Sequence, residues 1–170
     1  MTLGWRSLLA GTLLIVLGAV WLLHDDPEAR VRAAHETLRE LITKEQGESP
    51  AGMLAGMRSL RRLFAEEIVV AGDAGTLAAR YTDQELAATV QRIRELFASV
   101  ELGIDDLEVE FPRPGEAVGR FSATLSARPA GGSSAGGERL EVRRVTSRLI
   151  ESDGRWRFTA FELEDVRPGD

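Results

Sequence analysis

The last third of the chain is the part that most restricts its fold. In Leu107-Glu108-Val109-Glu110-Phe111, apolar and acidic residues alternate without a break. A period of two puts Leu107, Val109 and Phe111 on the core face of a half-buried strand. Pro112-Arg113-Pro114-Gly115 ends it, because proline has no N–H for the ladder and glycine reaches turn conformations. Val118 to Arg128 predicts a second strand, with Phe121, Ala123, Leu125 and Ala127 facing the core and Arg120, Ser122, Thr124 and Ser126 facing away. A glycine- and serine-rich loop, Pro129 to Gly137, leads to a third strand over about Arg139 to Glu151. The tight-turn signal Ser152-Asp153-Gly154 opens a fourth, Arg155 to Val166.

Two of these strands change phase. Leu140 and Val142 share one parity and Val145 and Leu149 the other, which a bulge near Arg143-Arg144 would reconcile. Trp156, Phe158 and Ala160 share one phase, and Phe161 and Leu163 the other. Paired slips in neighbouring long strands predict a strongly curved antiparallel sheet.

The segments before the sheet read as helices that cover it. Asp26-Pro27-Glu28 is a helix start, and Val31, Ala34, Leu38, Leu41 and Ile42 recur at helical spacing to about Lys44. A second helix runs from about Ala51 to Ala65 with Leu54, Met57, Leu60 and Phe64 on its apolar stripe. Ile68-Val69-Val70 predicts a short strand, Gly72-Asp73-Ala74-Gly75 a turn, and Thr76 to Tyr81 a second short strand. Thr82-Asp83-Gln84-Glu85 fits a capping box for a third helix, with Leu86, Val90, Ile93 and Phe97 inward to about Ser99.

The amino terminus is of another kind. Leu8 to Leu23 is an uncharged run of sixteen residues, a little short of the roughly twenty that a spanning helix needs. Arg6 can snorkel to the headgroups, and Trp5 and Trp21 stand near the two ends, where interfacial aromatics are favoured. The run's exit, Val20-Trp21-Leu22-Leu23-His24, is bulky where a signal-peptide cleavage site would be small. The expectation is an uncleaved signal anchor over residues 1–24, a folded domain over 25–167 and a short tail over 168–170. Positive charge at the start and Asp25, Asp26 and Glu28 after the run place the domain on the extracytoplasmic side of a bacterial inner membrane. The lipid bilayer is then the first partner.

Composition closes off several function classes. A net charge of −6 argues against sequence-independent nucleic-acid binding, which needs a basic surface. With no cysteine there is no disulfide, thiolate ligand or cysteine nucleophile. His24 and His35 lie eleven residues apart with no acid cluster at ligand spacing, so neither a metal nor a cofactor is expected. The Ser133-Ser134 pair has no histidine nearby, and the glycines around it neither follow a strand nor open a helix, which fits no phosphate-binding fingerprint.

Three stretches, taken in order, carry a resemblance. They are Leu63 to Val70, a helix end running into a short strand; Gly75 to Val100, a hairpin return into a helix; and Asp153-Gly154-Arg155-Trp156-Arg157-Phe158, a closing hairpin. With the meander, the chain resembles the nuclear transport factor 2-like superfamily, the α+β cone fold shared by ketosteroid isomerase, limonene epoxide hydrolase and scytalone dehydratase. The resemblance implies a cystatin-like cone: helices on a curved sheet around an apolar pocket. Members use that pocket for acid–base chemistry or for ligands, and the outer sheet face for partners.

The candidate acid–base residues are His35, beside the first helix's stripe, and Tyr81, at a strand or helix boundary; the plainer readings are a boundary histidine with one satisfied nitrogen and an amphipathic tyrosine at the pocket rim or the domain surface. Arg120, Arg144 and Arg148 on the meander are candidates for contact with a protein partner or a second copy, against a plain solvated face. Arg58, Arg61 and Arg62 read as a solvated helix face. The expected function is therefore an anchored, extracytoplasmic binding or scaffold domain, taking a protein on its sheet or a small apolar ligand in its cone. Its layout is similar to the single-anchor periplasmic scaffolds of type IV secretion systems. The alternative is a small isomerase, dehydratase or hydrolase acting on an apolar substrate.

Overall fold

The computed structural model describes residues 26–44, 49–72, 78–129 and 139–165. The expected anchor, most of the turn after Gly72, the glycine- and serine-rich loop and the tail lie outside the described residues. No helix among the described residues is long and apolar enough to cross a membrane. From Val31 onward the chain forms one compact unit.

Helix α1, Pro27–Ile42, opens with the Glu28 N–H donating to Asp26 Oδ1 at 3.0 Å, the cap that Asp26-Pro27 predicts. Its buried residues Val31, Ala34, His35 and Leu38 follow the three-and-four spacing of a single face. Helix α2, Pro50–Leu63, is capped by Ser49, whose hydroxyl accepts from the Gly52 N–H. Leu60 is buried on it, but Leu54, expected inward, is 62% exposed. Strands β1 (Phe64–Ala71) and β2 (Ala79–Thr82) pair antiparallel. Helix α3, Asp83–Leu96, carries the full reciprocal capping box between Thr82 and Glu85.

Helix α3 ends earlier than its pattern suggested. Phe97 to Val100 belong to strand β3, Phe97–Arg113, not to a last helical turn. The cause is tertiary: Phe97 pairs with Pro129 and Val100 with Ala127 of β4, Glu116–Pro129. Strands β5 (Arg139–Ser152) and β6 (Arg155–Asp165) complete a six-stranded sheet in the order β2-β1-β6-β5-β4-β3. The meander β3 to β6 is antiparallel as expected, but β1 runs parallel to β6, so the sheet is mixed.

The curvature has named sources. In β6, Leu149 pairs with Phe158 and Arg148 with Ala160, which leaves Thr159 as an extra residue. This is the predicted second slip, one residue earlier than expected, so that Ala160 stands opposite the outward Arg148 and does not share the phase of Phe158. The Thr159 hydroxyl donates to the Arg148 carbonyl at 3.2 Å, and past the bulge Phe161 and Leu163 turn inward. The slip expected at Arg143-Arg144 does not occur: β4 and β5 pair without a break from Glu116–Ile150 to Ala127–Arg139. Val145, Ser147 and Leu149 therefore face the core, while Leu140 and Val142 stay on the outer face, 68% and 42% exposed. The bending lies in β3 instead, where the register shifts three times and Asp106 takes φ 55°. Phe111, expected on the core face, lies within the last of these shifts; it is 40% exposed and meets the Trp156 ring at 5.9 Å.

The helices close the curved sheet. Val31, Ala34 and Leu38 of α1 join Leu60, Phe64, Ala117, Leu149, Trp156 and Phe158 in one core. The end of α1 also reaches the outer rim of β3. Lys44 forms a two-way backbone bridge with Val100, Thr43 Oγ1 accepts from the Leu102 N–H at 3.3 Å, and Arg32 Nη1 donates to the Leu107 carbonyl at 2.9 Å. Lys44 Nζ donates to the carbonyls of Arg94 and Phe97 at 2.7 and 2.8 Å, and Arg94 Nη2 donates to Thr43 O at 3.4 Å. Each helix end thus supplies the cation that the other's terminal carbonyls favour.

Candidate functional site

The concave face of the sheet and helices α1 and α3 line an open cavity of about 230 Å³. Its wall takes Leu38 and Ile42 from α1, Leu86 and Val90 from α3, Phe121 and Ala123 from β4, Val145 from β5, and Phe161 and Leu163 from β6. Every lining side chain is apolar. A second space of about 260 Å³ shares Ile42, Val90, Leu102, Ala123 and Leu163 with it and continues to a rim of Arg94, Glu141 and Arg143. The site is thus an apolar pit with charge confined to its mouth, the usual arrangement for holding an apolar molecule by burial and orienting it with few polar groups. Arg143 pairs with Glu141 at 2.7 Å and with Asp165.

His35 lies behind this wall and is not part of its lining. It is 1% exposed, and its ring meets Phe121 and Phe158 edge-on at 5.4 and 5.0 Å. Its Nδ1 is 2.9 Å from the Val31 carbonyl and its Nε2 is 2.8 Å from Ser147 Oγ. A carbonyl only accepts, so the proton sits on Nδ1 and Nε2 accepts from the Ser147 hydroxyl. Burial lowers the His35 pKa from its ordinary value of 6.5; the Val31 hydrogen bond opposes that shift, and the Arg32 charge adds to it. The imidazole is accordingly neutral, with both nitrogens engaged. Among the described residues no carboxylate bonds to His35 or Ser147, and Ser147 is fully buried. The pair has neither the orienting acid nor the access that a nucleophile and its base require.

Sequence reasoning singled out His35 but missed its partner. A signal for Ser147 existed. Along β4 the core-facing parity runs Ala117, Gly119, Phe121, and along β5 it runs Val145, Ser147, Leu149. Gly119 and Ser147 stand opposite each other in register. Two small residues facing each other across a core ladder leave a hole, and a serine in it calls for a polar occupant from the covering helix.

Tyr81 sits half-buried on β2, opposite Ile68, and does not line the cavity. The three meander arginines share the outer face of the sheet. Arg120 pairs with Glu110 at 2.9 Å, and Arg148 with Glu162 at 3.1 Å. Arg144 stands in register with Ser122 and Glu164. Among the described residues, no group of three histidines or carboxylates could hold a metal ion.

No protein-family model and no curated protein sequence matches the chain. Solved structures do. A scytalone dehydratase-like protein from Novosphingobium aromaticivorans superposes with a TM-score of 0.62 at 16% identity, covering 82% of this chain and 85% of that one. A protein from Kribbella flavida gives 0.68 at 12% identity over 82% and 90%. A protein with a cystatin-like fold from Caulobacter vibrioides gives 0.60 at 12% identity over 83% and 90%. At such identities the likeness is one of fold alone: an α+β cystatin-like architecture with helices on a curved mixed sheet.

Proposed function

We propose that this protein is a binding domain whose cone holds a small apolar ligand, tethered by its amino-terminal apolar run at the outer side of a bacterial inner membrane. One observation carries the binding reading: the wall of the 230 Å³ cavity is apolar throughout, with charge only at its mouth. A pit with no titratable group suits retention rather than proton transfer, because general acid–base work needs a donor or acceptor within hydrogen-bond reach of the reacting atom. The tether rests on the sixteen-residue uncharged run from Leu8 to Leu23.

The test is direct. The full chain, purified from its native membranes in mild detergent, is extracted with organic solvent and the extract identified by mass spectrometry. A bound apolar compound in stoichiometric amount is expected, and it is lost when Ala123→Phe fills the wall. An extract that matches an Ala123→Phe control rejects the reading. A reporter fused after Asp170 decides the compartment.

A second reading is an isomerase or dehydratase acting in the same cone. It draws support from the dehydratase-like neighbour and from Glu141, a carboxylate that lines the adjoining space. Turnover abolished by Glu141→Gln with ligand retention intact would establish it. The outer face of the sheet remains a secondary candidate for a protein partner or a second copy, with Arg144 at its centre.

A further inference from the structure

A separate groove of about 560 Å³ opens between α2, the start of α3 and the β6 strand, lined by Arg58, Arg61, Arg62, Phe64, Glu66, Asp83 and Arg157. Four guanidiniums against two carboxylates make it locally positive in a chain whose net charge is −6. Helix α2 contains no acidic residue, so its Arg58, Arg61 and Arg62, at spacings of three and four, repel one another along one face with no intrahelical relief. Basic residues in a last helical turn answer the helix dipole, which accounts for Arg61 and Arg62. It does not account for Arg58, a turn earlier, or for Arg157, which arrives from another element.

The carboxylates present do not satisfy the cluster. Asp83 is taken by Arg61 at 2.8 Å. Among the described residues Arg62 reaches only the Ser59 hydroxyl, and Arg157 is 3.7 Å from Asp153. Arg58 has no polar partner among the described residues. The buried Nε of Arg157 lacks a hydrogen-bond acceptor. A groove of this volume lies within the size range of small-ligand sites, and guanidinium forks match phosphoryl oxygens in pairs.

From this geometry we infer that the groove is an anion site for a phosphoryl group, with Arg58, Arg62 and Arg157 as its ligands and Arg61 held in place by Asp83. The phosphoryl group can belong to a soluble phosphate compound or to an anionic lipid headgroup. The site is independent of the cone cavity, with which it shares only Phe64.

Arginine footprinting tests it on the full chain in neutral detergent. Phenylglyoxal modification is followed residue by residue by mass spectrometry, with and without inorganic pyrophosphate. In a second arm, mixed micelles containing phosphatidylglycerol replace the neutral ones. Modification at Arg58, Arg62 and Arg157 is expected to slow about tenfold, the change that one charge-assisted contact brings, while Arg113 and Arg144 react as before. Protection by pyrophosphate assigns a soluble ligand, and protection by phosphatidylglycerol alone assigns a headgroup. Arg58→Glu should abolish protection at Arg62 and Arg157. No protection in either arm, or equal protection at Arg113 and Arg144, overturns the proposal.

Discussion

His35 and Ser147 lie 112 positions apart in the chain, yet their Nε2 and Oγ atoms are 2.8 Å apart in the core. The serine also reaches the Gly119 carbonyl at 3.2 Å. With one hydroxyl hydrogen, Ser147 serves His35 while the ring is neutral. If Nε2 were protonated, the hydroxyl would have to turn to Gly119.

That relationship sets a pH dependence. The folded-state pKa of His35 lies below 6.5 because burial disfavours the cation. Well above pH 6.5 both folded and unfolded chains hold a neutral ring, and the contribution to stability is complete. As the pH falls below 6.5 the unfolded chain takes up the proton first, so stability declines until the folded pKa is passed. Urea midpoints measured from pH 7.5 down to 5.5 should fall accordingly. His35→Leu should flatten that fall, since Ser147 keeps the Gly119 carbonyl as its acceptor.

Gly119 is required by the same contact. A Cβ built there would stand 2.8 Å from both His35 Nε2 and Ser147 Oγ. Gly119→Ala should therefore cost roughly 1–3 kcal/mol through overpacking. In a Ser147→Ala background one of the two clashes is gone, and the combined loss should be less than the sum. A double-mutant cycle from denaturant unfolding reads the difference.

Lys44 is the residue whose loss should loosen the rim. Lys44→Met removes two charge-assisted bonds to Arg94 O and Phe97 O. The expected destabilisation is about 2 kcal/mol, after allowing for partial exposure. Hydrogen exchange should quicken at Val100 and Leu102, where the end of α1 meets β3, and remain slow at Val145 and Leu149. Uniform quickening across the sheet would contradict this local role.

Ala123 faces both the apolar pit and the wider space at its mouth. A phenylalanine there should occupy the opening with little change in the unfolding midpoint, because it fills space that already exists. Fluorescence of an apolar dye bound to the wild-type cone should drop by most of its amplitude. An unchanged dye signal would place apolar binding elsewhere.

Much of the cone was legible in the sequence, for physical reasons that differ by element. Thr82 and Glu85 cap α3 through bonds three residues apart, so a local pattern suffices. The Thr159 bulge was legible because aromatic residues on both sides of it change parity. The end of α3 was not, since Phe97-Ala98-Ser99-Val100 contains no proline or glycine and only pairing with β4 makes it a strand. Leu140 and Val142 misled for the opposite reason: apolar residues on an outer face look like a shift in phase. The apolar cavity was expected only from the resemblance to a cone fold, because no window of sequence shows which side chains from seven elements leave a space. The arginine groove was half visible, as a run on α2; Arg157 joins it only in three dimensions.

The way α1 holds the rim of β3 has a further consequence. At seventeen residues β3 is the longest strand and stands at one end of the sheet, the position from which a naked backbone recruits a foreign strand into a growing fibre. Here three register shifts warp that backbone, and Thr43, Lys44 and Arg32 occupy its outward groups. Glu101, Asp105, Asp106, Glu108 and Glu110 repel an identical copy. At the opposite end β2 is only four residues long, too short a template to extend. The same contacts that close the cone therefore guard the protein against polymerising with itself when many copies are crowded together.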